Sequence, residues 1–168
     1  MADSSRFREA MAHLGAAVSI VTTDGKAGRA GVTVSAVCSV TDSPATLLVC
    51  INRGSRSHAA FLENGVLCVN VLDAAHQELS GRFASRIDTD SRFDGARWRL
   101  LESGVPALED AIAIFDCRIT STSEVGTHTV LLCAVQDVAI RPDGRGLIYF
   151  RRGYHPVGET RPSLAGAR

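Results

Sequence analysis

The chain has 168 residues, 45% of them hydrophobic and 21% charged, with 18 basic side chains balancing 18 acidic ones. That length suits one domain whose core needs no metal or disulfide staple, and the composition excludes a disordered or fibrous chain. Zero net charge without a basic run removes the phosphate attraction that nucleic-acid binding needs, and no apolar stretch approaches the ~20 residues of a membrane helix. Met1 to Glu9 is polar and lacks the basic-then-apolar pattern of a signal peptide. The expectation is a cytoplasmic protein that engages neither nucleic acid nor membrane.

In chain order, Phe7, Met11 and Leu14 repeat at helical spacing behind a Ser cap, which predicts a helix over residues 4–14 ended by Gly15. Runs rich in Val, Ile, Leu and Thr then predict strands over 16–23, 32–40, 46–52, 66–72, 111–121, 129–140 and 146–151. Asp24-Gly25 and Pro142-Asp143-Gly144 supply hairpin turns. Two short helices are expected over 55–63 and 74–84, and a polar loop carrying Trp98 over 85–107. Too few helices exist to cover a parallel sheet, so the pattern points to a mostly antiparallel, closed or nearly closed β-barrel.

Residues 32–40 carry the most information. In an extended chain Val32, Val34, Ala36, Cys38 and Val40 share one face, and Thr33, Ser35 and Ser39 share the other with Val37. Such hydroxyls either face solvent and neighbouring backbone or wall a pocket for a heterocycle or phosphate, and the pattern leaves both readings open. Asn52-Arg53-Gly54-Ser55-Arg56-Ser57-His58 places hydroxyls and two guanidiniums where a strand gives way to a helix, with Ser55 as its cap. That combination suits an anion such as phosphate, although Ser caps and Arg-rich loops are common. Gly126-Thr127-His128 precedes a strand, where a lone His is more often a surface or structural residue, and Tyr154-His155-Pro156 follows the last one, where a packed terminal turn reads equally well.

No GxSxG, HExxH or GxxxxGK[ST] run occurs, and the five histidines show no metal-pair spacing. Cys38, Cys50, Cys68, Cys117 and Cys133 are odd in number, lack CxxC spacing and lie in apolar runs, so each reads as a small buried hydrophobe. Hydroxyls and an anion cradle without an acid–base pair suit chemistry that a bound cofactor performs.

Gly28 to Asp42 followed by Thr46 to Gly54 closely resembles the flavin reductase family of FMN-binding split barrels. Leu67 to Asn70, Ala96-Arg97-Trp98, Phe115 to Ile119 and Val125 to His128 extend the likeness over roughly 6–156. The resemblance implies a mainly β, homodimeric split β-barrel with a few peripheral short helices over 1–158, and a flexible tail over 159–168. It implies an NADH- or NADPH-dependent enzyme that reduces FMN, or FAD, and passes it to a partner flavin-dependent monooxygenase. The likeness is greatest to a pyrimidine-utilisation branch, with FAD-preferring reductases of two-component aromatic hydroxylases also similar. A non-enzymatic flavin- or haem-binding barrel is the competing class.

In that family the flavin lies against the strand matching Thr33, Ser35, Ala36, Val37, Cys38 and Ser39, with its phosphate near Asn52, Arg53, Ser55 and Ser57. Phe83 falls in an Arg-Phe pair close to the cofactor, and Tyr154 and His155 complete the expected contacts. His128 corresponds to a histidine near the nicotinamide, but Thr127 stands where many relatives have Asp, which puts a carboxylate role there in doubt.

Overall fold

The computed structural model describes residues 3–158; the expected tail over 159–168 lies outside the described residues. Helix α1 (Ser4–Ala12) is capped by Asp3, not by a serine: the Asp3 carboxylate accepts the Arg6 backbone N–H at 3.0 Å. Its apolar stripe stays open, with Phe7, Met11 and Leu14 46–63% exposed.

Strands β1 (Ala16–Ala17), β2 (Ser19–Thr23), β3 (Ala30–Val34), β4 (Val37–Asp42) and β5 (Ala45–Asn52) precede helix α2 (His58–Asn64). Strand β6 (Val66–Val71), a 3₁₀ turn (Ala74–His76), and helices α3 (Gln77–Ala84) and α4 (Thr89–Phe93) follow. The chain continues through β7 (Trp98–Leu100), β8 (Pro106–Leu108), β9 (Ala113–Val125), β10 (His128–Ile140), β11 (Gly146–Phe150) and β12 (Gly153–Val157). The seven-stranded sheet runs β3-β2-β6-β9-β10-β5-β4, flanked by β1-β11-β12 and the β7-β8 ribbon, and its pairs are antiparallel.

The expected single strand over 32–40 is two strands. Ser35 and Ala36 leave the ladder, and the chain steps from β3 at one edge of the sheet to β4 at the other. The sheet therefore curls until its edges meet at that step, the closure and the split of the barrel. The alternation predicted across 32–40 fails beyond the step, where Cys38, Ser39 and Val40 are all exposed. Residues 85–107 hold α4, β7 and β8 where a loop was expected, and Tyr154-His155-Pro156 lies within β12.

Two apolar layers explain which strands read as continuous hydrophobic runs. Val21, Val49, Ile51, Phe61, Leu67, Val69, Leu131 and Cys133 fill the barrel, while Ile20, Cys68, Leu72, Leu79, Phe83, Phe93 and Leu108 form a layer beneath α3, α4 and β8. Strands β2 and β6 contribute to both layers, so both of their faces are buried and their polar residues Thr22, Thr23 and Asn70 bond to backbone inside the fold. Asn70 stitches the layers together. Fully buried, it donates from Nδ2 to the Ile20 carbonyl at 3.0 Å and accepts the Leu108 N–H at 2.7 Å. Asn70→Ala leaves a buried donor and a buried acceptor unpaired, so chemical denaturation should show a loss of about 1–3 kcal/mol; an unchanged midpoint contradicts this role.

Candidate functional site

Adjoining cavities lie at the step between β3 and β4, the end of β5 and the C-terminal end of α3. At one end a cavity of about 540 Å³ is lined by Val32, Asn52, Gly54, Ser55, Arg56, Phe83, Ala84, Ser85, Arg86 and Arg92. Ala84 is shared with a second cavity of about 240 Å³, lined also by Val18, Thr33, Val34, Ser35, Tyr149 and Tyr154. Ser35 and Tyr149 in turn border a mainly apolar groove of about 930 Å³ between α1, β1, β4 and β5, which takes in Ala36, Val37 and Cys38. The cleft thus runs from a guanidinium-rich end to a tyrosine-lined one.

The guanidinium end is built around the Gly31 carbonyl. It accepts Nη1 of Arg92 at 2.9 Å and Oγ of Ser57 at 2.9 Å, while Nη2 of Arg92 donates to the Ser85 carbonyl at 2.8 Å. Arg92 is 6% exposed and its Nε finds no partner. Burial and the neighbouring Arg56 guanidinium lower its pKa, with Asp88 acting in the opposite sense. Three guanidiniums and no carboxylate among the lining residues give this end the donor set that suits an anion.

Gly31 also lets Phe83 approach, since a Cβ there would stand 2.6 Å from the ring. The Phe83 ring packs at 5.0 Å on Phe93 and 5.7 Å on Trp98, and Arg29 lies 4.3 Å above Phe93. This aromatic block fixes α3 and α4, which carry Ser85, Arg86 and Arg92 to the cavity.

Of the residues predicted from sequence, Thr33, Ser35, Asn52, Ser55, Phe83 and Tyr154 meet along the two cavities. Their hydroxyls have local duties: Thr33 donates to the Ser80 carbonyl at 2.6 Å, and Tyr154 accepts from Ser80 Oγ at 3.0 Å. Ser39, Arg53, Ser57, His128 and His155 line neither cavity nor the groove. Arg53 turns to Glu124 on β9 at 3.3 Å, Ser57 is buried on Gly31, and His155 approaches the Phe150 carbonyl at 3.1 Å. His128 is exposed beside Asn52 in the β10–β5 register, with Nδ1 2.9 Å from Thr127 Oγ1.

The anion loop differs from the expected cap. Helix α2 begins at His58, its N-cap is Ser57 without a side-chain cap bond, and Ser55 Oγ instead accepts the Ser57 N–H at 3.3 Å. The N–H groups of Gly54 and Ser55 are taken by Asn52, so side-chain guanidiniums, and not a row of free backbone donors, dominate the anion end.

Sequence reading missed Arg86, Arg92 and Tyr149. The signal for Arg92 was a further Arg-Phe pair, Arg92-Phe93, ten residues after Arg82-Phe83 and behind the Asp88 cap of α4. Among the cysteines, burial raises the thiol pKa of Cys68 and pushes those of Cys117 and Cys133 up to about 12, as expected of structural thiols. Cys38 departs from that reading, because β4 leaves it exposed.

The chain belongs to the flavin reductase like domain family, whose model spans residues 11–158. It is 57% identical over 162 residues to the FMN reductase (NADH) RutF of Bradyrhizobium diazoefficiens, covering 95% of this chain and 89% of that one. The crystal structure of a Haemophilus somnus homologue superposes with a TM-score of 0.90 at 48% identity, covering 93% of this chain and 100% of the other. A nitrilotriacetate monooxygenase component B homologue from Mycobacterium thermoresistibile gives a TM-score of 0.87 at 27% identity, covering 99% and 93% of the two chains. The mainly β split barrel with short peripheral helices is the fold these relatives share.

Gly31→Ala drives a methyl group into the Phe83 ring beside the cavity. Overpacking of this kind costs about 1–3 kcal/mol, and thermal unfolding should register it; wild-type stability contradicts the close packing.

Proposed function

We propose that this chain is an NADH-dependent flavin reductase that reduces FMN and releases it to a partner flavin-dependent monooxygenase, with pyrimidine utilisation as the setting. The observation that carries the reading is the guanidinium cavity adjoining, across Ala84, a tyrosine-lined cavity, spaces suited to the phosphate and ring system of one flavin. The similarity to RutF supports FMN and NADH, and the likeness to a monooxygenase component supports the partner.

FMN held in this cleft would supply the hydride-acceptor chemistry toward NADH, which asks the protein for alignment more than for proton chemistry. Arg56, Arg86 and Arg92 would hold the phosphate, with Ala84 shared between that cavity and the next. Thr33, Ser35, Tyr149 and Tyr154, which line the second cavity, would border the ring. His128, one strand across from Asn52, positions the nicotinamide. A second copy covers the apolar groove lined by Met11, Leu14 and Ala36 to Cys38, making the enzyme a homodimer whose cofactor cleft adjoins the interface through Ser35 and Tyr149.

The test is NADH oxidation by the purified chain. Turnover should require added flavin and be at least as fast with FMN as with FAD, and sedimentation should give the dimer mass. Negligible turnover with either flavin contradicts the reductase reading, and a strong FAD preference moves it to the hydroxylase reductases. In the same assay His128→Ala should raise KM for NADH and leave FMN affinity unchanged; lost FMN binding with intact hydride transfer would place His128 in the flavin site.

A further inference from the structure

We propose that the cleft between the β7–β8 ribbon and strands β9 and β10 is a second ligand site, one that takes a small amino acid as its zwitterion, with the ammonium at Asp116 and Asp137 and the carboxylate at Arg99 and Arg118. The site is independent of the flavin reading above.

The cleft has a volume of about 460 Å³ and shares no lining residue with the guanidinium cavity, the tyrosine-lined cavity or the apolar groove. The most buried side chain of its lining is Asp116 of β9, only 5% exposed. Among the described residues Ser103 donates to Oδ1 of this carboxylate at 2.8 Å, and no cation pairs with it. Directly opposite in the antiparallel register stands a second carboxylate, Asp137 of β10. A register shift between Val135 and Asp137 puts it there, with Gln136 as the extra residue of a bulge. Without that residue Gln136 would oppose Asp116, and Asp137 would fall on the other face of the sheet.

Arg99 of β7, Arg118 of β9 and Glu102 of the β7–β8 turn complete the charged lining. Among the described residues none of these five ionisable groups forms an ion pair. Two carboxylates opposed across a ladder repel, and a buried carboxylate without a counter-ion is costly. A positive group between Asp116 and Asp137 relieves both. The two unpaired guanidiniums repel a simple amine, however, so the occupant that satisfies the whole lining also carries an anion, which Arg binds best as a carboxylate or phosphate. An α-amino acid holds its ammonium and its carboxylate on one carbon. Three lining carboxylates against two guanidiniums favour an amino acid whose side chain is neutral or cationic.

Trp98, the one tryptophan of the chain, precedes Arg99 on β7 and packs at 4.9 Å on Phe93 and 5.7 Å on Phe83, so its fluorescence reports the filling of the cleft.

The experiment titrates the full-length chain, without flavin, with L-alanine, L-glutamine and L-lysine, and follows Trp98 fluorescence and the heat of binding. At least one of the three should bind, and propionate and ethylamine, with one charge each, should bind at least about tenfold more weakly. Asp137→Asn and Arg118→Gln, both at exposed positions, should each weaken amino-acid binding by at least about tenfold. Asp137→Asn also removes the opposed charges, so without ligand it should melt at or above the wild-type temperature, which distinguishes a lost contact from a lost fold. No binding of any of the three at millimolar concentration overturns the proposal. So does propionate or ethylamine binding as tightly as the amino acids, or unchanged affinity in either variant.

Discussion

The carbonyl oxygen of Gly31 receives two hydrogen bonds that hold the candidate site in place, from the buried guanidinium of Arg92 and from the hydroxyl of Ser57. Through Arg92 it fixes α4 and the end of α3; through Ser57 it fixes the loop leaving β5. The missing side chain of Gly31 matters equally, because the Phe83 ring occupies the space a Cβ would need. One backbone position thus joins the aromatic block, the anion loop and the barrel edge, and the cavity lies where the three converge.

The other constraint is topological. A seven-stranded antiparallel sheet must hide its edges, and this one does so by sending consecutive strands β3 and β4 to opposite edges. The step at Ser35 and Ala36 breaks the ladder there, leaving a recess that borders both the tyrosine cavity and the apolar groove. Closure of the barrel and formation of a binding cleft are consequences of the same two residues.

Much of this was legible in the sequence. Strands β2 and β6 read clearly because both faces are buried, and the residue types of Asn52 to His58 singled out the segment from which Asn52, Gly54, Ser55 and Arg56 line the first cavity. The break at Ser35-Ala36 was not legible, since Val37 to Val40 keeps full β-propensity and only the path to the opposite edge interrupts the strand. Short β7 and β8 were hidden by their polar flanks and by Pro106, which sits at a strand end where its missing N–H is tolerated. Arg53 and Arg56 looked alike in sequence, yet Arg53 turns to Glu124 while Arg56 lines the cavity. Arg92 escaped notice because its segment reads as a polar loop, and its significance depends on burial and on carboxylates paired elsewhere.

The proposed function puts the phosphate of FMN against the buried Arg92 guanidinium. Phosphorus-31 NMR of FMN on the protein tests it most directly, since the chemical shift reports the ionisation of that phosphate. The account predicts a bound resonance that keeps its dianionic position from pH 8 to well below the ~6 midpoint of free FMN. A bound resonance that titrates with the midpoint of free FMN would contradict it.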